Sequence, residues 1–128
     1  MKTILLAEDD PFILDIYSSQ FRKEGFKVDI AKDGQMALEK IKNNYPDLLV
    51  LDLNLNVNLP GPKDGLDILK TIRQDLKTKN LKVIVISNYN EKDYPELSEL
   101  SNLGVIKYFL KIESTPEEII NIIKEILK

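Results

Sequence analysis

The run Pro46-Asp47-Leu48-Leu49-Val50-Leu51-Asp52 constrains the fold more than any other stretch. Leu48 to Leu51 are apolar without alternation and too short for a helix of ordinary length. That is the pattern of a strand buried on both faces, as in a parallel sheet. The run stops at a carboxylate. An acid where a buried strand ends sits at the carboxyl edge of the sheet, where open α/β folds place their chemistry. Turns also favour Asp, so this stretch alone assigns Asp52 no role.

The rest of the chain repeats the theme. Thr3 to Ala7 reads as a buried strand, followed by Glu8-Asp9-Asp10 and Pro11. Asp10 before Pro11 predicts a capped helix start. The helix from Pro11 to Glu24 carries Ile13, Leu14, Ile16, Tyr17 and Phe21 as its apolar face, and Gly25 stops it. Phe26 to Ala31 alternates like an edge strand with one solvated face. Asp33-Gly34 opens a helix ending near Asn43-Asn44. Asp64-Gly65 leads another, with Leu66, Leu69, Ile72 and Leu76 on one face. Leu81 to Ile86 is a strand closing at Ser87. A polar loop from Asn88 to Tyr94 leads to a short helix starting near Pro95, because a residue before proline avoids helical geometry. Val105 to Leu110 is the fifth strand. Ser114 or Thr115 caps the last helix, whose isoleucines span an arc of roughly 160° at 100° per residue. This is a core stripe with Ile122 at its edge, and a partner contact is the alternative.

Five strand–helix repeats demand parallel strands, right-handed crossovers and helices on both faces of one sheet. At 128 residues this is a single domain, residues 1–128, with no linker and no second unit in view. The chain has no cysteine and no histidine, which removes disulfides, thiol catalysis, Ser-His-Asp chemistry and imidazole metal sites. Metal chemistry must therefore run on oxygen ligands, which favours Mg²⁺, Mn²⁺ or Ca²⁺. A net charge of −3 and a pI of about 5.1 give no pull toward nucleic acid or anionic membrane. The N-terminal apolar run is neither a signal peptide nor a membrane span, and a cytoplasmic location is expected.

All five strand ends lie along one edge in such a fold. They carry Glu8 and Asp9, Asp52, Ser87 and Lys111. Crowded carboxylates repel unless one takes a proton or a cation joins them, and Mg²⁺ is the simplest remedy, with Mn²⁺ as a substitute. Metal and Lys111 could draw a phosphoryl group onto Asp52, a carboxylate nucleophile giving an acyl phosphate. Such transfer needs positioning and charge neutralisation more than acid–base groups, so the lack of histidine is no obstacle. Ser87 could donate a hydrogen bond to the new group.

Through Ile4-Leu5-Leu6-Ala7-Glu8-Asp9-Asp10, Pro46 to Asp52, Asp64-Gly65, Val85-Ile86-Ser87 and Tyr108-Phe109-Leu110-Lys111, the chain resembles a response regulator receiver domain over essentially its whole length. The resemblance implies a flavodoxin-like, doubly wound five-stranded parallel sheet of order 2-1-3-4-5. It implies that Asp52 accepts phosphate from a histidine of a sensor kinase or phosphotransfer protein. Glu8 and Asp9 fall on the family's metal pair, and Asn54 where a backbone carbonyl meets the metal. Ser87 matches the switch hydroxyl, Tyr108 the switch aromatic and Lys111 the family lysine. Asn54 and Tyr89 fall where the lifetime of the acyl phosphate is tuned. The implied role is a stand-alone two-component switch with no output domain. It would act on a protein partner through the fourth helix, fifth strand and fifth helix, with self-association as a further outlet. No direct nucleic-acid or membrane contact is expected, and no enzyme activity beyond self-phosphorylation from small donors and self-dephosphorylation.

Three departures stand out. Ile112 replaces the family's usual proline, so the Lys111–Ile112 bond is expected to be trans and Lys111 to aim differently. The segment between Asp52 and Asp64 is long. Leu53 to Leu59 alternates with period two and Pro60-Gly61-Pro62 forces a turn, which reads as a strand extension or small flap, a tolerated insertion or a gate over Asp52. Asn88 follows the switch hydroxyl, where a small residue is usual, and narrows the pocket. Two rivals remain: a receiver-shaped scaffold that binds partners without phosphorylation, and an aspartyl-nucleophile phosphatase. The latter usually needs an acid where Asn54 stands. A nucleotide- or flavin-binding module would want a Gly/Ser/Thr-rich loop where Glu8-Asp9-Asp10 lies.

Overall fold

The computed structural model of the chain describes residues 1–55 and 62–128. Five strands and five helices alternate: β1 (Thr3–Ala7), α1 (Pro11–Lys23), β2 (Lys27–Ala31), α2 (Gly34–Asn43), β3 (Leu48–Asp52), α3 (Lys63–Gln74), β4 (Val83–Ser87), α4 (Glu99–Asn102), β5 (Lys107–Leu110) and α5 (Pro116–Ile126). A 3₁₀ turn, Pro95–Ser98, leads into α4. The strands form one parallel sheet of order β2-β1-β3-β4-β5. This is the expected doubly wound fold.

Strand parity divides the core in two. Ile4, Leu6, Leu48, Val50, Ile84, Ile86 and Phe109 pack with Phe21, Ile119 and Ile123, under α1 and α5. Leu5, Ala7, Leu49, Leu51, Val83 and Val85 pack with Ala37, Ile41, Leu69 and Ile72, under α2 and α3. β3 is buried along its whole length. Each of its buried Leu and Val side chains stabilises the fold by about 1.5–3 kcal/mol, which fixes the register that delivers Asp52 to the edge.

The helix ends follow their caps. Asp10 Oδ1 accepts from the Phe12 and Ile13 N–H groups at 2.8 and 3.3 Å, with Pro11 in the first turn. Gly25, at φ +94°, reverses the chain after α1. Asp33 caps α2 through the Met36 N–H, and Thr115, not Ser114, caps α5 through the Glu118 N–H. Gly65 has a different duty. An added Cβ would lie 2.4 Å from Leu53 Cα and 2.8 Å from its carbonyl oxygen, and the Gly65 N–H donates to that oxygen at 3.0 Å. Only glycine lets α3 sit directly on the backbone that follows Asp52.

Some sequence expectations change. Ile16 is 46% exposed, because at 100° per residue it lies roughly 130° from the centre of the α1 stripe. Leu76 is exposed because α3 ends at Gln74. β4 begins at Val83 rather than Leu81, and β5 at Lys107 rather than Val105. Val105 instead donates to Leu100 in closing the turn after α4. β3 stops at Asp52, and Leu53, Asn54 and Leu55 are not in strand. The rest of the expected flap, residues 56–61, lies outside the described residues. The edge position of β2, the short fourth helix and the partial exposure of Ile122 are as expected.

Candidate functional site at the carboxyl edge

Parity sorts the functional side chains as it sorts the core. Continuing the alternation of β1, β3 and β5, Glu8, Asp52 and Lys111 emerge on the face covered by α1 and α5. Ser87 and Tyr108 emerge on the opposite face. The two sets meet where β1, β3, β4 and β5 end side by side.

Three carboxylates converge there. Glu8, Asp9 and Asp52 each offer an oxygen within 4.8 Å of the others. Glu8 is fully buried and Asp52 is 4% exposed. Lys111 reaches between them, its Nζ 2.7 Å from Glu8 Oε1 and 3.2 Å from Asp52 Oδ2. The Lys111–Asp52 contact that Ile112 placed in question is made, and no peptide bond among the described residues is cis. Backbone donors hold two of the acids: the Asp9 N–H donates to Glu8 Oε2 at 3.0 Å and the Asn54 N–H to Asp52 Oδ1 at 3.2 Å.

The electrostatics are those of a site short of positive charge. Burial pushes Glu8 up to about 8, Asp52 beside it adds to the rise, and Lys111 pulls back only part. Asp9 is raised by its own partial burial and by the charge of Glu8. Burial opposes the charge on Lys111, but Asp52 and Glu8 outweigh it and raise its pKa. Without a cation, one proton shared near Glu8 relieves the repulsion.

The residues fit a hard divalent cation. Every donor is an oxygen, as Mg²⁺ prefers. Asn54 Oδ1 is buried and has no hydrogen-bond partner among the described residues, a polar atom at the same cavity that a cation's water could satisfy. The cavity, about 580 Å³, is walled by Glu8, Asp9, Asp52, Asn54, Tyr89 and Lys111 among others. It has room for a phosphoryl group with water.

The remaining predicted residues stand close by. Ser87 is buried, and its Oγ accepts from the Tyr89 N–H at 2.9 Å. The Tyr108 hydroxyl donates to the Tyr89 carbonyl, and burial raises its pKa. Tyr108 itself lines a separate hollow of about 720 Å³ between α4 and β5, with Leu97, Leu100, Val105 and Ile106. Asn88 is exposed at the cavity wall, so its bulk lies at the rim. Phe12, not among the residues expected at the site, also walls the cavity and is 80% exposed. Its position right after a capped Pro11, off the apolar stripe, was the available signal. Nor was the packing of Tyr94 on Tyr89 expected, at a ring-centroid distance of 4.6 Å.

Acids and a lysine gathered at the carboxyl edge of a five-stranded parallel sheet define a doubly wound α/β domain with a candidate cation site. The family model described as the response regulator receiver domain matches residues 4–124, and the chain belongs to that family. It is 33% identical over 108 residues to sporulation initiation phosphotransferase F of Bacillus subtilis, covering 84% of this chain and 80% of that protein. It is 31% identical over 128 residues to the alkaline phosphatase synthesis transcriptional regulatory protein PhoP of the same organism, covering 99% of this chain but only 49% of that protein. Among solved structures, a CheY-like response regulator receiver domain protein from Methanospirillum hungatei superposes with a TM-score of 0.80 at 28% identity, covering 98% of this chain and 92% of that one. No helix among the described residues is long and apolar enough to cross a membrane.

Proposed function

We propose that this receiver domain is a phosphorylation-dependent switch whose phosphoacceptor is Asp52. The observation that carries the reading is Lys111 Nζ lying within 3.2 Å of Asp52 Oδ2 while Glu8, Asp9 and Asp52 turn their oxygens toward one point. A donor phosphohistidine, on a sensor kinase or phosphotransfer protein, meets an Asp52 oxygen as nucleophile. The O–P bond forms, the N–P bond breaks, and the electron pair leaves with the imidazole, which takes up a proton. Mg²⁺, held by Glu8, Asp9, Asp52 and the Asn54 backbone carbonyl, would neutralise charge on the phosphoryl oxygens. Lys111 offers a second cationic contact, and the Ser87 hydroxyl a hydrogen bond.

Ser87 is already tied to Tyr89, and Tyr89 to Tyr108, so a pull on Ser87 acts on both. That supports output through the surface of α4, β5 and α5 toward a protein partner. The test is direct. The chain is incubated with Mg²⁺ and a small acyl phosphate and its intact mass recorded. A gain of one phosphoryl group, lost in Asp52→Asn and with a chelator, supports the proposal. No gain in the unaltered chain favours a scaffold that binds partners without phosphorylation.

A further inference from the structure

We infer that Tyr94 is a positioning residue that carries the state of the Asp52 pocket to the start of α4, through its ring contact with Tyr89. The inference rests on the phosphorylation reading above. Tyr89 is a junction. Its N–H donates to Ser87 Oγ at 2.9 Å, and its carbonyl accepts from the Tyr108 hydroxyl. Its ring meets that of Tyr94 edge to face, with centroids 4.6 Å apart and planes at 66°. It also walls the cavity that holds Asp52.

The backbone between the two rings is a braced turn. Asn90 Oδ1 accepts from the Asp93 N–H at 2.9 Å, and Asn90 Nδ2 donates to Asp93 Oδ2 at 3.0 Å. The Asn90 carbonyl accepts from the Tyr94 N–H at 3.0 Å. Tyr94 precedes Pro95, which keeps it out of the helix, and its carbonyl accepts the Leu97 N–H at 3.0 Å to start the 3₁₀ turn. A displacement of Ser87 therefore reaches Leu97 through bonded and packed groups, not through a slack loop.

The far end of α4 is anchored. Arg73 Nε donates to the Leu103 carbonyl at 2.6 Å, and Arg73 Nη2 to that of Gly104 at 3.3 Å. Near its start, α4 has the Lys70–Glu99 ion pair at 3.0 Å, exposed on both sides and so a weak restraint. The far end is thus fixed by the Arg73 hydrogen bonds, and the near end by the packing of Leu97 and Leu100 in the core beside Tyr94. A phosphoryl group that draws the Ser87 hydroxyl toward Asp52 shifts the Tyr89 peptide, and the Tyr94 ring follows.

The test uses the whole chain labelled for amide NMR, with Mg²⁺ and beryllium fluoride as a phosphoryl mimic on the carboxylate. In the unaltered chain, resonances move at Ser87 and Tyr89 and also at Leu97 and Leu100. In Tyr94→Leu the first pair still moves, while shifts at Leu97 and Leu100 fall by about twofold or more. Tyr94→Phe, which keeps the ring, restores them. Leu97 and Leu100 moving as far in Tyr94→Leu as in the unaltered chain overturns the inference. So does loss of the Ser87 and Tyr89 shifts in Tyr94→Leu, which would make Tyr94 part of the pocket's own support. No movement anywhere in the unaltered chain overturns the phosphorylation reading itself, and is told apart by that.

Discussion

Lys111 Nζ donates to Glu8 Oε1 at 2.7 Å, joining residues 103 positions apart in sequence. The contact closes the sheet edge from β1 to β5 across β3 and β4. It also leaves Glu8, fully buried, dependent on one ammonium for its charge. Lys111→Met removes that partner. We expect a loss of stability at pH 9 of about 2–3 kcal/mol, below the usual cost of breaking a buried pair because Glu8 can retain a proton. The loss is smaller at pH 6, where Glu8 already holds its proton. Urea unfolding at the two pH values checks this, and an equal loss at both would contradict it.

Metal binding should depend on pH. In the metal-free fold Glu8 is raised from 4.5 to about 8. A carboxyl raised on folding binds more protons folded than unfolded between those values. Its contribution to stability is fully present below 4.5, declines as pH rises and is exhausted above about 8. A cation must displace that proton. Mg²⁺ affinity should therefore rise with pH, by up to about tenfold per unit, and level off above about 8. Titrations at pH 6, 7, 8 and 9 measure it. A flat profile would show that Glu8 is not a ligand.

Gly65→Ala places a methyl group 2.4 Å from Leu53 Cα. The obstruction is backbone, so α3 must shift or Leu53 must move with its neighbour Asp52. Overpacking of this kind costs about 1–3 kcal/mol. Chemical denaturation should show that loss, together with slower phosphoryl uptake. An unchanged midpoint would mean that α3 slides without strain.

Tyr89 walls the acidic cavity. It should partly screen attacking water from an acyl phosphate on Asp52. Tyr89→Ala is expected to speed release of phosphate several-fold, about the effect of opening one side of a partly closed site. The decay of the phosphorylated mass after donor removal reads this. The same half-life as the unaltered chain would sink the idea.

The parallel, doubly covered sheet was legible because β3 and β4 are unbroken apolar runs spaced by helical patterns, and only one handedness of crossover fits them, while the strand order followed from the family resemblance alone. The residues gathered at the carboxyl edge were legible for the same reason: Glu8, Asp52, Ser87 and Lys111 each stand at or just beyond a strand end. What sequence could not supply was direction. The true end of α3 depends on how the helix sits on the sheet, a tertiary matter that propensity does not encode, whereas the exposure of Ile16 follows from the helical period itself. The aim of Lys111 past Ile112 depends on the backbone after β5. Asp64-Gly65 was visible as a helix start, but its reason, the close approach to Leu53, is a contact between segments. The buried Asn54 Oδ1 at the cavity and the Tyr89–Tyr94 contact likewise exist only once the edge is assembled.

On the proposed reading, Asp52 alone carries the phosphoryl group. Borohydride reduces an aspartyl phosphate to homoserine, marking the acceptor in the peptide map. After phosphorylation with Mg²⁺ and a small acyl phosphate, homoserine is expected at position 52 and at no other acid. Homoserine at position 9, 2-amino-5-hydroxypentanoic acid at position 8, or an unmodified position 52 in a chain that has gained phosphate, would contradict it.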